Sequence, residues 1–108
     1  MKKINIAEKL SLFDDHWRQK VIAKSNGQLI KLAKGIGELT WHKHDDEDEM
    51  FIIHSGRLVI QLRDGNVELN PGDMFVVPRG VEHCPVAEEE VAFMIIGPSV
   101  TSAQSDWI

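Results

Sequence analysis

Apolar and polar residues alternate along most of this chain, in short runs separated by Gly, Pro, Asn and Asp. Successive side chains of a β-strand point to opposite faces of a sheet, so this alternation predicts strands with one buried face. Turn signals recur roughly every eight to twelve residues, a spacing typical of sandwiches and barrels and not of parallel sheets. We therefore predict an all-β domain. Its predicted strands cover residues 21–24, 28–34, 38–44, 50–53, 58–62, 67–69, 74–77 and 91–96.

Two segments depart from the strand pattern. Near the amino terminus, Asn5 can cap a short helix and Glu8 lies three residues later, as in a capping box. Ile6 and Leu10 would share one face of that helix. The acidic residues 88–90 are predicted to form a turn before the last strand. We therefore expect a short amino-terminal helix followed by a β domain.

Composition narrows the classes of function. The chain has 108 residues, a net charge of −5 and no cluster of lysines or arginines, so we expect no nucleic-acid partner. It has no run of about eighteen apolar residues, so we expect no membrane span. The single cysteine, Cys84, cannot form an internal disulfide, which is typical of proteins in a reducing compartment. These features predict a soluble, cytoplasmic domain.

Three histidines and one glutamate have the spacing of a metal site. His42 and His44 lie two positions apart, so both imidazoles point to one face of a strand. Glu49 begins the next apolar run after an acidic loop, and His83 follows a turn that contains Pro and Gly. Donors from three strand ends can all reach one ion at about 2.0–2.2 Å. The predicted metal ligands are therefore His42, His44, Glu49 and His83.

The same alternation predicts the surroundings of the metal. Thr40, Phe51 and Ile53 share the ligand face and are predicted to line a substrate pocket. Trp41 points outward, and together with an aliphatic amino-terminal segment it predicts a homodimer interface. No further histidine or lysine is placed to face the pocket, so no catalytic acid or base is assigned.

These spacings resemble the two motifs of the cupin superfamily. The first motif is an HXH pair, three or four residues, a glutamate, six residues and a glycine, and it matches His42 to Gly56. The second is a glycine, five residues and then Pro-X-Gly-X-X-His, and it matches Gly72 to His83. The resemblance covers about residues 35–98 and is specific, because ligands, proline and most glycines fall in register. There are two departures: Gly37 precedes His42 by four residues where the motif has five, and Ala87 stands where the second motif ends in Asn.

The resemblance implies a double-stranded β-helix (jelly-roll) barrel that holds its metal inside, on the four predicted ligands. It divides one domain into residues 1–34, with the helix and first strands, residues 35–98, the metal-binding core, and residues 99–108, the tail. The donor set has no thiolate, so its chemistry leaves Mn, Fe, Ni, Co and Zn open as the one divalent ion per chain. In an octahedral ion about two positions would remain for a ligand.

The expected function is that of a metal-dependent enzyme acting on a small polar molecule. The resemblance implies dioxygenase-like or isomerase-like chemistry, and the lack of an acid or base places the dioxygenase slightly ahead. The alternative is a non-catalytic module that binds or senses a small molecule or a metal. Resemblance to small cupins also implies a homodimer.

Overall fold

The fold is described from a computed structural model, which covers residues 1–101 and 105–108. The described residues form one short helix, α1, and eight strands, β1 to β8. The helix is Ile6–Leu10, and the strands are Gln19–Ser25 (β1), Gln28–Glu38 (β2), Glu49–Ser55 (β3), Leu58–Leu62 (β4), Gly65–Leu69 (β5), Met74–Val77 (β6), His83–Gly97 (β7) and Ser105–Trp107 (β8). The predicted all-β class with a short amino-terminal helix is confirmed.

The strands form one connected sheet in the order β5-β4-β7-β2-β1-β8, with β3 paired to both β6 and β7. These pairs are antiparallel, except that β8 runs parallel to β1. The long strand β7 pairs with β2, β3 and β4 and so connects the two halves of the fold. Its first residues, beginning with His83, pair with β4.

One buried apolar cluster fills the interior. Its members come from β2 to β7, which requires the sheet to close on itself as a barrel. Alternation decides which side chains enter it: in β4, Leu58 and Ile60 are fully buried, while Val59 between them is partly exposed. The cluster consists of Ala33, Phe51, Ile53, Leu58, Ile60, Leu69, Val77, Ala87, Val91, Phe93 and Ile95.

A second apolar cluster covers part of the outer face, where α1 packs. Asn5 caps α1, because its side-chain oxygen accepts a hydrogen bond from the backbone N–H of Glu8 at 2.9 Å. Leu10 of α1 then packs with Leu32 of β2, and Ile108 at the end of the tail joins the same cluster.

In the described part of the chain, no helix is long and apolar enough to cross a lipid bilayer.

The strand predicted for residues 38–44 is wrong. β2 ends at Glu38, and the chain then follows the start of β7 irregularly. His42 makes an isolated bridge with His83, in which each backbone N–H donates to the other residue's carbonyl, at 3.0 and 2.9 Å. Leu39 donates to the carbonyl of Pro85, so four residues of this segment lie opposite three of β7. That mismatch interrupts the regular ladder.

The turn predicted for residues 88–90 is also wrong, because β7 continues through them. Opposite this run, the register of β2 shifts between Gly35 and Gly37. Such an irregularity bends a strand without ending it. The three acidic side chains are exposed, so their polarity does not oppose a strand conformation.

Candidate metal centre and its cavity

Four potential donor atoms, one each from His42, His44, Glu49 and His83, lie within 4.8 Å of one another. Glu49 is the first residue of β3 and His83 the first residue of β7, and the backbone bridge fixes His42 beside His83. The centroids of the three imidazole rings are 4.4 to 5.7 Å apart. The structure thus brings together all four residues that the sequence singled out.

Two of the imidazoles are oriented by backbone carbonyls. Nδ1 of His42 lies 2.8 Å from the carbonyl oxygen of Thr40, and Nδ1 of His83 lies 2.9 Å from that of Val81. A carbonyl oxygen can only accept a hydrogen bond, so Nδ1 of each ring donates, and Nε2 is the nitrogen left to bind a metal. Metal-binding histidines generally have this arrangement, with the second nitrogen donating to an outer partner.

Glu49 carries the only carboxylate of the cluster, and its side chain is 4 % exposed. Its Oε1 lies 3.2 Å from Nε2 of His83, and its Oε2 lies 3.4 Å from Nε2 of His44. Burial alone would raise the pKa of Glu49, but His44, His83 and the Thr101 hydroxyl together hold that pKa well below its usual range. The carboxylate is therefore ionised at neutral pH.

His44 provides the clearest sign that a partner is needed here. Its Nε2 is buried without a hydrogen bond, because the approach to Glu49 has the distance of an ion pair and not the geometry of a hydrogen bond. The nearby Glu49 carboxylate raises the pKa of His44, against the opposing effect of burial. Burial lowers the pKa of His42, although its bond to Thr40 opposes this.

These residues fit a divalent transition metal. An unsatisfied buried nitrogen costs free energy, and an ion beside it would remove that cost. Imidazole and carboxylate suit Mn, Fe, Co, Ni and Zn, whereas Cu(I) favours the thiolates that this cluster lacks. The buried Cys84 lies elsewhere, with its Sγ 3.6 Å from Glu38.

Two residues that the sequence gave no reason to select hold Glu49 in place. The hydroxyl of Thr101 donates to Oε2 of Glu49 at 2.6 Å. Gln19, at the start of β1, makes two hydrogen bonds to Thr101. Its side-chain oxygen accepts from the Thr101 backbone N–H at 2.9 Å, and its side-chain amide nitrogen donates to the Thr101 hydroxyl at 2.5 Å. Because 82 residues separate this pair, no local motif could have revealed it.

A buried lysine lies close enough to Glu47 and Glu49 to interact with their charges. Lys31 is 0 % exposed, and its ammonium donates to the carbonyl of Ser99. The Ser99 hydroxyl in turn donates to Glu47 at 2.8 Å. Burial lowers the pKa of Lys31, while the charges of Glu47 and Glu49 oppose that shift. Glu47 is only 9 % exposed, so the acidic loop before Glu49 is not solvated throughout.

A cavity of about 350 Å³ is lined by three of the four donor residues, His42, His44 and Glu49. Thr40 and Phe51, two of the three residues predicted for a substrate pocket, are part of its wall. Ile53, the third, is not part of the wall and lies in the packed interior, 2 % exposed. The cavity is lined by Trp17, Gln19, Ala33, Leu39, Thr40, His42, His44, Glu49, Phe51, Pro85, Phe93, Ile95 and Thr101.

The fold and motifs agree with a known family. Residues 28–97 match the Cupin_2 family, a cupin domain. The chain belongs to the cupin family. This cupin is similar in structure to a cupin-2 domain containing protein from Shewanella frigidimarina NCIMB 400, with 50% identity and a TM-score of 0.87 over 89% of this chain and 94% of that chain. The predicted family and barrel fold are thus confirmed.

Curated relatives of this cupin are longer than the matched segment. The uncharacterized protein YdbB of Bacillus subtilis (strain 168) is 36% identical over 63 residues, which are 57% of this chain and 56% of that protein. Acireductone dioxygenase of the same organism is 32% identical over 85 residues, which are 75% of this chain and 47% of that protein. The chain thus spans about half the length of these relatives.

Proposed function

We propose that this cupin is a metal-dependent enzyme with dioxygenase-like chemistry toward a small molecule. One divalent transition metal per chain would be held by His42, His44, Glu49 and His83. The observation that carries the proposal is the buried Nε2 of His44, which makes no hydrogen bond and lies among three further donors beside a cavity large enough for a ligand.

A divalent ion bound here would supply Lewis-acid or redox chemistry to oxygen atoms of the ligand. The protein's own contribution is orientation. The carbonyls of Thr40 and Val81 fix the rings of His42 and His83, while Thr101 fixes the Glu49 carboxylate. Four protein donors leave about two positions of an octahedral ion for a ligand.

The composition of the cavity wall favours a dioxygenase over an isomerase. Isomerisation requires a side chain that takes and returns a proton, with a pKa near the working pH. Among the described residues that line the cavity, the titratable ones are His42, His44 and Glu49, all of them proposed metal ligands. Lys31 is buried but is not part of the wall. The similarity to acireductone dioxygenase supports the same choice.

The same absence of an acid or base also favours a second candidate, a module that binds a small molecule or metal without turnover. A purely structural site would be plugged by apolar side chains or by the tail. Trp107 of the tail is 66% exposed and does not line the cavity, which supports a ligand-binding site of either kind.

We further propose a cytoplasmic homodimer. The sequence predicts Trp41 at the interface, but the guanidinium of Arg63 covers one face of its ring, 3.8 Å from the ring centroid. The edge strand β6 exposes Met74 and Val76, at 55% and 39%, and is a better candidate surface. Light scattering of wild type and Val76→Asp tests this: a dimer that dissociates in the variant supports it, and a monomeric wild type contradicts it.

Oxygen uptake by Fe(II)-loaded protein tests the enzyme proposal. Acireductone and catechol, which offer two neighbouring oxygens, are suitable first substrates, and Glu49→Gln is the matched control. We expect uptake by wild type that is lost in the variant. Metal binding without uptake with any compound of this type would favour the binding module.

A further inference from the structure

Trp17 adopts a backbone conformation that a bulky residue rarely has. Its φ is +62°, in the left-handed region, where a tryptophan is a clear outlier. Such a conformation costs about 1–3 kcal/mol and persists only where the surrounding structure fixes it. Here the Trp17 N–H donates to the carbonyl of Lys34 at 2.7 Å, and its indole Nε1 donates to the carbonyl of Ile36 at 3.1 Å.

The neighbouring strand makes room for the indole ring. A Cβ atom placed on Gly35 of β2 would lie 2.5 Å from the ring of Trp17, so no other residue fits there without displacing the ring. A strained backbone, two hydrogen bonds and a glycine thus all serve to hold one indole against β2. The ring forms part of the cavity wall.

A series of aromatic ring contacts extends from Trp17 to the metal centre. The Trp17 ring lies 6.2 Å from that of Phe93, between centroids, and Phe93 lies 5.8 Å from Phe51. Phe51 lies 6.5 Å from the imidazole of His83, nearly perpendicular to it. These spacings are those of tilted aromatic contacts in protein interiors. A ligand bound at the metal would therefore extend along aromatic faces.

The wall also lacks charges that could hold an ionic ligand. Among the described residues that line the cavity there is no lysine, arginine or aspartate, and Glu49 supplies the only carboxylate. A phosphate or carboxylate away from the metal would lose its hydration without gaining a charged partner, which is costly. An uncharged apolar group has no such hydration to lose, and burial of its surface is favourable.

We propose that the cavity takes a small molecule with an uncharged, planar apolar body, whose oxygen donors meet the metal centre, and that Trp17 determines this specificity. The inference rests on the proposed function and narrows its substrate class. It excludes phosphorylated and carboxylate-tailed substrates. Because Trp17 also packs against the interior cluster, its role is measured as a preference between ligands and not as an affinity alone.

Three hydroxamates with the same chelating group provide the test: acetohydroxamate with a methyl group, benzohydroxamate with a phenyl ring, and the monohydroxamate of succinate with a carboxylate. Binding of each to Co(II)-loaded protein is measured by calorimetry. We expect benzohydroxamate to bind about tenfold more tightly than acetohydroxamate, and the succinate derivative no more tightly than acetohydroxamate.

Trp17→Leu keeps an apolar side chain and removes the aromatic face. We expect it to reduce the preference for benzohydroxamate to within about threefold, while Trp107→Ala, which changes an exposed Trp outside the cavity wall, leaves the preference intact. Equal binding of all three hydroxamates by wild type would overturn the inference even if Trp17→Leu does not fold. An unchanged preference in folded Trp17→Leu would overturn the role of Trp17.

Different results would contradict the proposed function and the proposed ligand class. Failure of wild type to bind Co(II), seen before any hydroxamate is added, overturns the proposed function and this inference with it. Normal Co(II) binding together with tightest binding of the succinate derivative overturns the inference alone.

Discussion

Two regions of the barrel interior, the apolar cluster and the candidate metal centre, differ in what they contain. In the apolar cluster, Leu58, Ile60 and Val91 are fully buried, with 0% exposure. In the metal centre, Glu49 and His83 lie with two further histidines beside a cavity of about 350 Å³. The first region stabilises the fold, and the second leaves polar atoms and space for a ligand.

The contrast shows that the face of a strand and the depth along it are separate properties. Glu49, Phe51 and Ile53 all point inward from β3. Yet Glu49 belongs to the metal centre, Phe51 to the cavity wall as well as the interior cluster, and Ile53 to the interior cluster alone. Alternation fixes the face, whereas the register with neighbouring strands decides the depth.

The largest expected effect is at the metal centre. His83→Ala and His42→Ala each remove one of four proposed ligands. Loss of a residue that only hydrogen-bonds a metal ligand lowers metal affinity by about 10–100-fold, so we expect a larger fall here. Calorimetric titration with Co(II) measures this. His54→Ala is the matched control, because His54 is an exposed histidine of β3. Unchanged affinity in either ligand variant would contradict the assignment.

The next effect is in the apolar cluster. Ile53→Ala removes buried methyl groups from a packed cluster, so we expect the free energy of unfolding to fall by about 2–5 kcal/mol. Metal stoichiometry should not change. Urea denaturation of this variant beside Ile52→Ala, the half-buried outward neighbour, provides the comparison. A loss no larger than that of Ile52→Ala would mean that Ile53 is not in a tightly packed site.

A smaller effect is expected from the contact between the tail and Glu49. Thr101→Val removes the hydroxyl that donates to Glu49 but keeps the shape of the side chain. We expect metal affinity to fall about tenfold, at the lower end of the range for outer partners. Thr101→Ser retains the hydroxyl and should retain the affinity. An equal loss in both variants would show that packing, and not the hydrogen bond, is responsible.

The smallest effect concerns pH. A histidine must be neutral to bind a metal, and Glu49 raises the pKa of His44, so protons compete with the metal up to a higher pH than for a free imidazole. Metal affinity should therefore fall as the pH drops through that pKa, by at most about tenfold per unit for one proton. Titrations at about pH 7 and about pH 6 measure this, and a pH-independent affinity would contradict it.

Local sequence patterns predicted the four donors because each is marked by a short motif or by the start of a strand. They did not reveal Thr101 and Gln19, which meet through the closed fold. Nor did they reveal the burial of Lys31. This residue lies two positions before the inward residue Ala33 and so shares its face, but a lysine is expected on the solvated face. Burial of Lys31 depends on Glu47 and Ser99, which lie far from it in the chain.

The most direct test of this account is the metal content of protein purified without an affinity tag or chelator and then reconstituted, beside the Glu49→Gln variant. Elemental analysis should find about one divalent transition metal per chain in wild type and much less in the variant, because the amide cannot supply the negative charge. No metal in wild type, or equal metal in both proteins, would contradict the claim that these four residues form a metal centre.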